Sequence, residues 1–176
     1  MFFLWKRFLN LLNIFIHKIE IPVEKEEKVG EIILKDILKN PSFKKVEDKK
    51  LDSVLLIVRR RLTDHLDQSR YHYRIVVFDK QMINAFALPG GYLMVSTGLL
   101  NLVEKPEELA AVLAHEMGHI EKKHMMRRLI RMAGINIILS GDRYAIGEIS
   151  KTLTSNVFDR RQEKEADEFS LDLLEK

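Results

Sequence analysis

The chain of 176 residues contains no cysteine. That excludes disulfide staples and thiolate metal sites, so any metal must be held by histidines and carboxylates. It also lacks an excess of charge of either sign. Its 29 Lys and Arg are nearly matched by 26 Asp and Glu, and the net charge is only +3. This balance offers no nucleic-acid footprint, although the sequence pI is about 9.0. Long apolar runs are missing too. The N-terminal stretch 1–21 is the richest in apolar residues, but Lys6 and Arg7 break it. Its uninterrupted pieces are far shorter than the roughly 18 residues of a membrane span. No small-residue cleavage site follows, as an export signal would require. Internal repeats, low-complexity tracts and linkers are absent as well.

What is present suits a single domain with a sizeable core: 46% hydrophobic and 31% charged residues. Residues 1–21 read as an amphipathic helix with Asn10, Asn13 and His17 on one side and Leu9, Leu12, Phe15, Ile16 and Ile19 mostly elsewhere. Such a helix packs on the domain's own core or lies on a membrane surface; a degenerate export signal is the third reading. Pro22 ends it or marks a turn. Helical spacing predicts a helix over Val29–Leu38 and another over Leu51–Leu66, the latter with Leu51, Val54, Leu55, Val58, Leu62 and Leu66 inward. The run Arg59-Arg60-Arg61 on that helix reads as a solvated face. The period then changes. Short strands are predicted at Arg74–Phe78, Ala85–Leu88 and Tyr92–Ser96, the last two separated by the turn Pro89-Gly90-Gly91. A short helix starts at Thr97. Pro106, Glu107 and Glu108 open a long one, expected to run to Met125 or beyond, because proline and acids suit a first turn. Helical segments follow over Leu129–Leu139, interrupted at Gly134, over Tyr144–Thr154, and from Asp159 to the end.

The long helix carries His115-Glu116-Met117-Gly118-His119. Residues four apart lie about 40° apart around a helix, so both imidazoles point the same way and can share a zinc ion. Glu116 sits about 100° round from His115, near enough to act on a water at the metal without ligating it. Gly118 is expected to leave room beside the metal. The apolar run Leu109–Ala114 is what a buried active-site helix needs. A catalytic zinc wants a third protein ligand. Glu163, Glu165, Asp167 and Glu168 are the candidates, and spacing does not choose among them. Glu163 and Asp167 share a helix face, and Ala166 beside them allows a neighbouring helix to approach.

These motifs together resemble the zinc peptidase family of HtpX, the CaaX prenyl-protein proteases, the mitochondrial Oma-type proteases and BepA, which are gluzincins. Arg160, Glu163, Ala166 and Asp167 match the family's Ser-Arg-x-x-Glu-x-x-Ala-Asp pattern in register, with Asp159 in place of the serine. Asn84-Ala85-Phe86-Ala87-Leu88-Pro89-Gly90-Gly91, Thr97-Gly98-Leu99-Leu100 and Glu108–Leu113 extend the match. The resemblance covers about Ile21 to the C-terminus. It implies Glu163 as third ligand and Asp167 as the residue orienting a ligand histidine. It places Asn84, Ala85, Phe86 and Ala87 at the rim of the cleft, where a strand edge can bind substrate main chain. His124, about 140° round a continuous helix from His119, reads as structural or as supporting the ligands. No residue is assigned to face the oxyanion.

The expected fold is α+β: a mainly helical gluzincin catalytic domain over 22–176, with a small sheet beside the cleft. The chain reads as a minimal catalytic domain or one lacking C-terminal helices. The expected function is that of a zinc-dependent endopeptidase with one Zn²⁺ per chain, held by His115, His119 and Glu163, with Glu116 as general base. Its partners would be extended or unfolded polypeptide, with a membrane surface touched through residues 1–21, in a membrane-associated or periplasmic setting and with a role in quality control. The competing reading is a non-catalytic, zinc-braced peptide-binding or chaperone-like module, which has no need of Glu116.

Overall fold

The computed structural model describes residues 20–66, 69–153 and 158–176. The expectations for the N-terminal helix therefore lie outside the described residues, apart from its end at Glu20 and Ile21. The described elements are α1 (Val23–Lys39), a 3₁₀ turn at Pro41–Phe43, α2 (Lys49–Asp64), β1 (Arg74–Phe78), β2 (Ala85–Leu88), β3 (Tyr92–Ser96), α3 (Thr97–Leu102), α4 (Pro106–Glu121), α5 (His124–Ala133), α6 (Ile135–Ser140), α7 (Arg143–Leu153) and α8 (Arg160–Leu174). The architecture is mainly helical α+β, as expected, and no described helix is long and apolar enough to cross a membrane.

The sheet has the order β1-β3-β2. β1 runs parallel to β3, with Arg74 opposite Tyr92 and Phe78 opposite Ser96. β2 runs antiparallel to β3, with Ala85 opposite Val95 and Leu88 opposite Tyr92. Gly90 (φ 74°) and Gly91 (φ 91°) turn the chain between them, in a region that side-chain-bearing residues rarely adopt. All five residues of β3 are buried, because helices cover both faces of the sheet. Alternate residues divide between two cores. Val76, Phe78, Phe86, Leu88 and Met94 pack with α1 and α5–α7. Val77, Ala87, Leu93 and Val95 pack with α2, α4 and Leu173 of α8.

Three expectations need correction. α1 begins six residues before Val29, since Pro22 caps its start instead of merely ending an earlier segment, and Glu24 and Glu26 occupy its first turn. Val54 of α2 is half exposed, so it drops out of the inward face, which keeps Leu55, Val58 and Leu62 buried and Leu51 and Leu66 packed at its edges. The long helix stops at Glu121, well short of Met125. Lys123 adopts a left-handed conformation (φ 56°) and His124 starts a new helix. Packing explains the break. Continuing the inward phase of α4 from Met117 and Ile120 would turn Arg127, Arg128 and Arg131 to the core. Restarting the helix instead buries Met125, Met126, Leu129 and Ile130. An ion pair holds the junction: Lys123 Nζ lies 3.0 Å from the buried Glu26 carboxylate, which also accepts from the Tyr71 hydroxyl at 2.9 Å.

Candidate active site

α4 and α8 build the site between them. They meet where a Cβ on Gly118 would stand 3.0 Å from both Cα and O of Ala166 and 3.3 Å from its Cβ. The space left by Gly118 is thus taken by α8, and not by a metal as the sequence suggested. Both residues must be small for the two helices to come this close. Asp159 fixes where α8 starts: its side chain accepts from the backbones of Arg161 and Gln162, and Gln162 reaches back to its N–H at 3.2 Å, a full capping box. The serine-to-aspartate departure keeps the cap.

This contact lines up the three expected ligands. Ligand atoms of His115, His119 and Glu163 all lie within 4.8 Å of one another. The two Nε2 atoms are 3.1 Å apart, and Glu163 Oε2 is 3.4 Å from that of His115 and 3.9 Å from that of His119. Ligands held about 2.0–2.1 Å from a tetrahedral ion stand roughly 3.3 Å apart, so the spacing fits one ion. The donor set fits as well. Asp167 Oδ1 sits 2.9 Å from His115 Nδ1. A carboxylate only accepts, so the proton is on Nδ1 and His115 Nε2 presents a lone pair to the cluster. A lone pair, a second imidazole and a carboxylate converging within this distance call for a cation.

Glu116, next to His115, is 8% exposed. Its Oε2 is buried without a hydrogen-bond partner among the described residues, as an atom that serves a bound group would be. Burial pushes its carboxyl up to about 8; the Ala87 backbone opposes this and the Glu163 charge adds to it. Burial, then His115 and His124, lowers His119 to about 3. A neutral imidazole is the form that ligates a metal. The site is lopsided: the side chain of His119 is 2% exposed but that of Glu163 44%, so α8 forms the open lip and α4 the floor.

Of the expected rim residues, Asn84 and Ala85 are half-buried, whereas Phe86 and Ala87 are fully buried. Phe86 belongs to one core and Ala87 to the other. β2 is an edge strand, but only its Asn84–Ala85 end is accessible. Phe158 was not singled out from the sequence, and Glu165 was considered there only as a candidate third ligand. Phe158 stacks on the His119 ring, centroids 3.9 Å apart and planes at 18°. Glu165 lies 2.9 Å from His124 Nε2, and His124 is itself fully buried against His119. The phase shift after Ile120 was the available signal that His124 turns back toward His119, and with it for the Glu165 contact.

A family model, peptidase family M48, matches residues 47–176. The chain belongs to peptidase family M48. Among its relatives are metalloprotease LoiP of Escherichia coli, 29% identical over 68% of this chain and 51% of LoiP, and the mitochondrial metalloendopeptidase OMA1 of Arabidopsis thaliana, 30% identical over 64% of this chain and 24% of that protein. The β-barrel assembly-enhancing protease of E. coli is 20% identical over 89% of this chain and 35% of its own length. The chain thus spans between about a quarter and about half of these relatives. Membership of the family implies a metal-dependent peptidase site.

Proposed function

We propose that this chain carries, over residues 22–176, the catalytic domain of a zinc-dependent endopeptidase acting on extended or unfolded polypeptide. The observation that carries the reading is the convergence of His115, His119 and Glu163 beside the buried, unpartnered Oε2 of Glu116. His115, His119 and Glu163 would hold one zinc ion, and Asp167 would orient His115 from behind. The ion supplies Lewis-acid polarisation of a water and of the scissile carbonyl. Glu116 takes the proton of the attacking water and passes it to the leaving amine. Burial suits it to that exchange, because it makes the protonated carboxyl accessible near neutral pH, while a cation beside it restores the charged form. The substrate main chain would enter along the Asn84–Ala85 end of β2, which favours sequence-tolerant recognition of extended segments. With Phe86 and Ala87 buried, they shape the strand from within the cores and do not touch the substrate's side chains.

A membrane-associated, quality-control setting forms part of the proposal. The relative named for β-barrel assembly and the mitochondrial one support it. The rival reading, a zinc-braced binding module, leaves the burial of an ionisable Glu116 without purpose. The test is digestion of a casein-type unfolded substrate by wild type and by Glu116→Gln, each with its zinc content measured and with or without chelator. Chelator-sensitive cleavage by wild type and its loss in zinc-loaded Glu116→Gln are expected. Equal cleavage by the two proteins would sink the assignment.

A further inference from the structure

The two histidines of the cluster are supported differently. His115 leans directly on Asp167. His119 leans on another histidine: its Nδ1 is 2.9 Å from Nδ1 of His124. His124 Nε2 in turn is 2.9 Å from Glu165 Oε2. The other Glu165 oxygen faces Arg161, at 3.6 Å. The proton positions along this chain follow from its end. Glu165 as a carboxylate only accepts, so His124 carries its proton on Nε2 and has a lone pair on Nδ1. A close contact between two ring nitrogens needs one proton, so His119 Nδ1 donates. That leaves His119 Nε2 with its lone pair turned toward His115 Nε2 and Glu163. Each contact from Glu165 Oε2 to His119 Nδ1 thereby has one donor and one acceptor, in a place where His124 has no exposure to water.

We propose that His124 and Glu165 are positioning residues that fix the tautomer and ring orientation of His119 through a carboxylate–imidazole–imidazole relay. The inference rests on the zinc reading of the cluster. It also explains the break between α4 and α5. On a continuous helix His124 would point away from His119; the left-handed Lys123 folds it back beneath the ring. α8 then serves both histidines, Asp167 supporting one and Glu165 the other, while Phe158 lies flat on His119 and holds the plane. Removing groups that support a ligand histidine usually weakens metal binding by about 10–100-fold.

The test uses Co²⁺ and Zn²⁺ affinities, from competition with a chromophoric chelator, together with the visible spectrum of the Co²⁺ form and the melting of metal-free protein. His124→Phe removes the acceptor but keeps an aromatic ring against Phe158; about 10–100-fold weaker metal binding and an altered Co²⁺ spectrum are expected. His124→Asn keeps an acceptor oxygen in place of Nδ1 and should recover part of that loss. Glu165→Ala should weaken binding several-fold alone and add little on the His124→Phe background, as coupled residues do. Metal affinities within twofold of wild type in His124→Phe overturn the proposal, whatever the melting temperatures. Should that variant fail to fold, wild-type affinity in both Glu165→Ala and His124→Asn overturns it instead. A wild-type protein that takes up neither metal fails the zinc reading itself, a different result from intact binding that ignores the relay.

Discussion

Gly118→Ala sets two effects of opposite sign against each other. In a helix interior alanine is favoured over glycine by about 1 kcal/mol. The added methyl, however, would stand 3.0 Å from Cα and O of Ala166 and 3.3 Å from its Cβ. None of these atoms sits on a flexible side-chain end, so α4 and α8 must part by a few tenths of an ångström. Overpacking of this kind typically costs about 1–3 kcal/mol. In metal-free protein the helices can separate, and the propensity gain offsets much of the strain. Metal binding needs them close, because His115 and His119 flank the contact on one side and Glu163 lies one turn from it on the other. About 1–2 kcal/mol of strain should therefore fall on the metal equilibrium, weakening affinity by roughly 5–30-fold. Pairing the change with Ala166→Gly should restore only part of the loss, since the backbone contacts remain. The assay is chelator competition for Zn²⁺ beside melting of the metal-free protein. Wild-type affinity with a raised melting temperature would refute the claim that this contact sets the ligand spacing.

Other expectations follow from the same geometry. Asp167→Ala removes the acceptor behind His115; its side chain is 65% exposed, so water can replace it, and Zn²⁺ affinity should fall by about 10-fold, the low end for such partners, in the same competition assay. Lys123→Met strips the cation from Glu26, whose side chain is 2% exposed; denaturant unfolding should show a loss of about 3 kcal/mol or more, largely recovered by adding Glu26→Gln. In metal-free protein Glu116 holds a proton that the unfolded chain releases above its ordinary 4.5, so its contribution to stability declines as pH rises from 4.5 through about 8. At roughly 1.4 kcal/mol per pKa unit the ceiling is about 5 kcal/mol. Metal-free Glu116→Gln should then gain on wild type in unfolding experiments between pH 5 and 9, and a constant difference would argue against a buried carboxyl.

The strands, α3, α6 and the start of α8 were legible because turn residues, caps and a change of period mark them directly. The His115–His119 pair was legible because helix geometry alone puts both rings on one face. Glu163 was not separable from Glu165 by spacing, because both acids lie on one helix against the histidines: one faces His115 and His119, the other His124. The junction at Lys123 escaped because no glycine or asparagine marks the left-handed residue, and only the apolar phase of Met125–Ile130 betrays it. Gly118 was read for the metal when its neighbour is a helix, an error that follows from seeing one helix without its partner. The burial of Phe86 and Ala87 likewise depends on helices covering both faces of the sheet, which strand propensity does not encode.

The most direct test of the three-ligand site is zinc content after dialysis against a weak chelator, measured for wild type and for Glu163→Gln. Glu163 is 44% exposed along its side chain, so the substitution should leave the fold intact. The account predicts about one zinc per chain in wild type and a large loss in Glu163→Gln, with both proteins melting alike when metal-free. Full zinc occupancy in Glu163→Gln, or none in wild type, would contradict it.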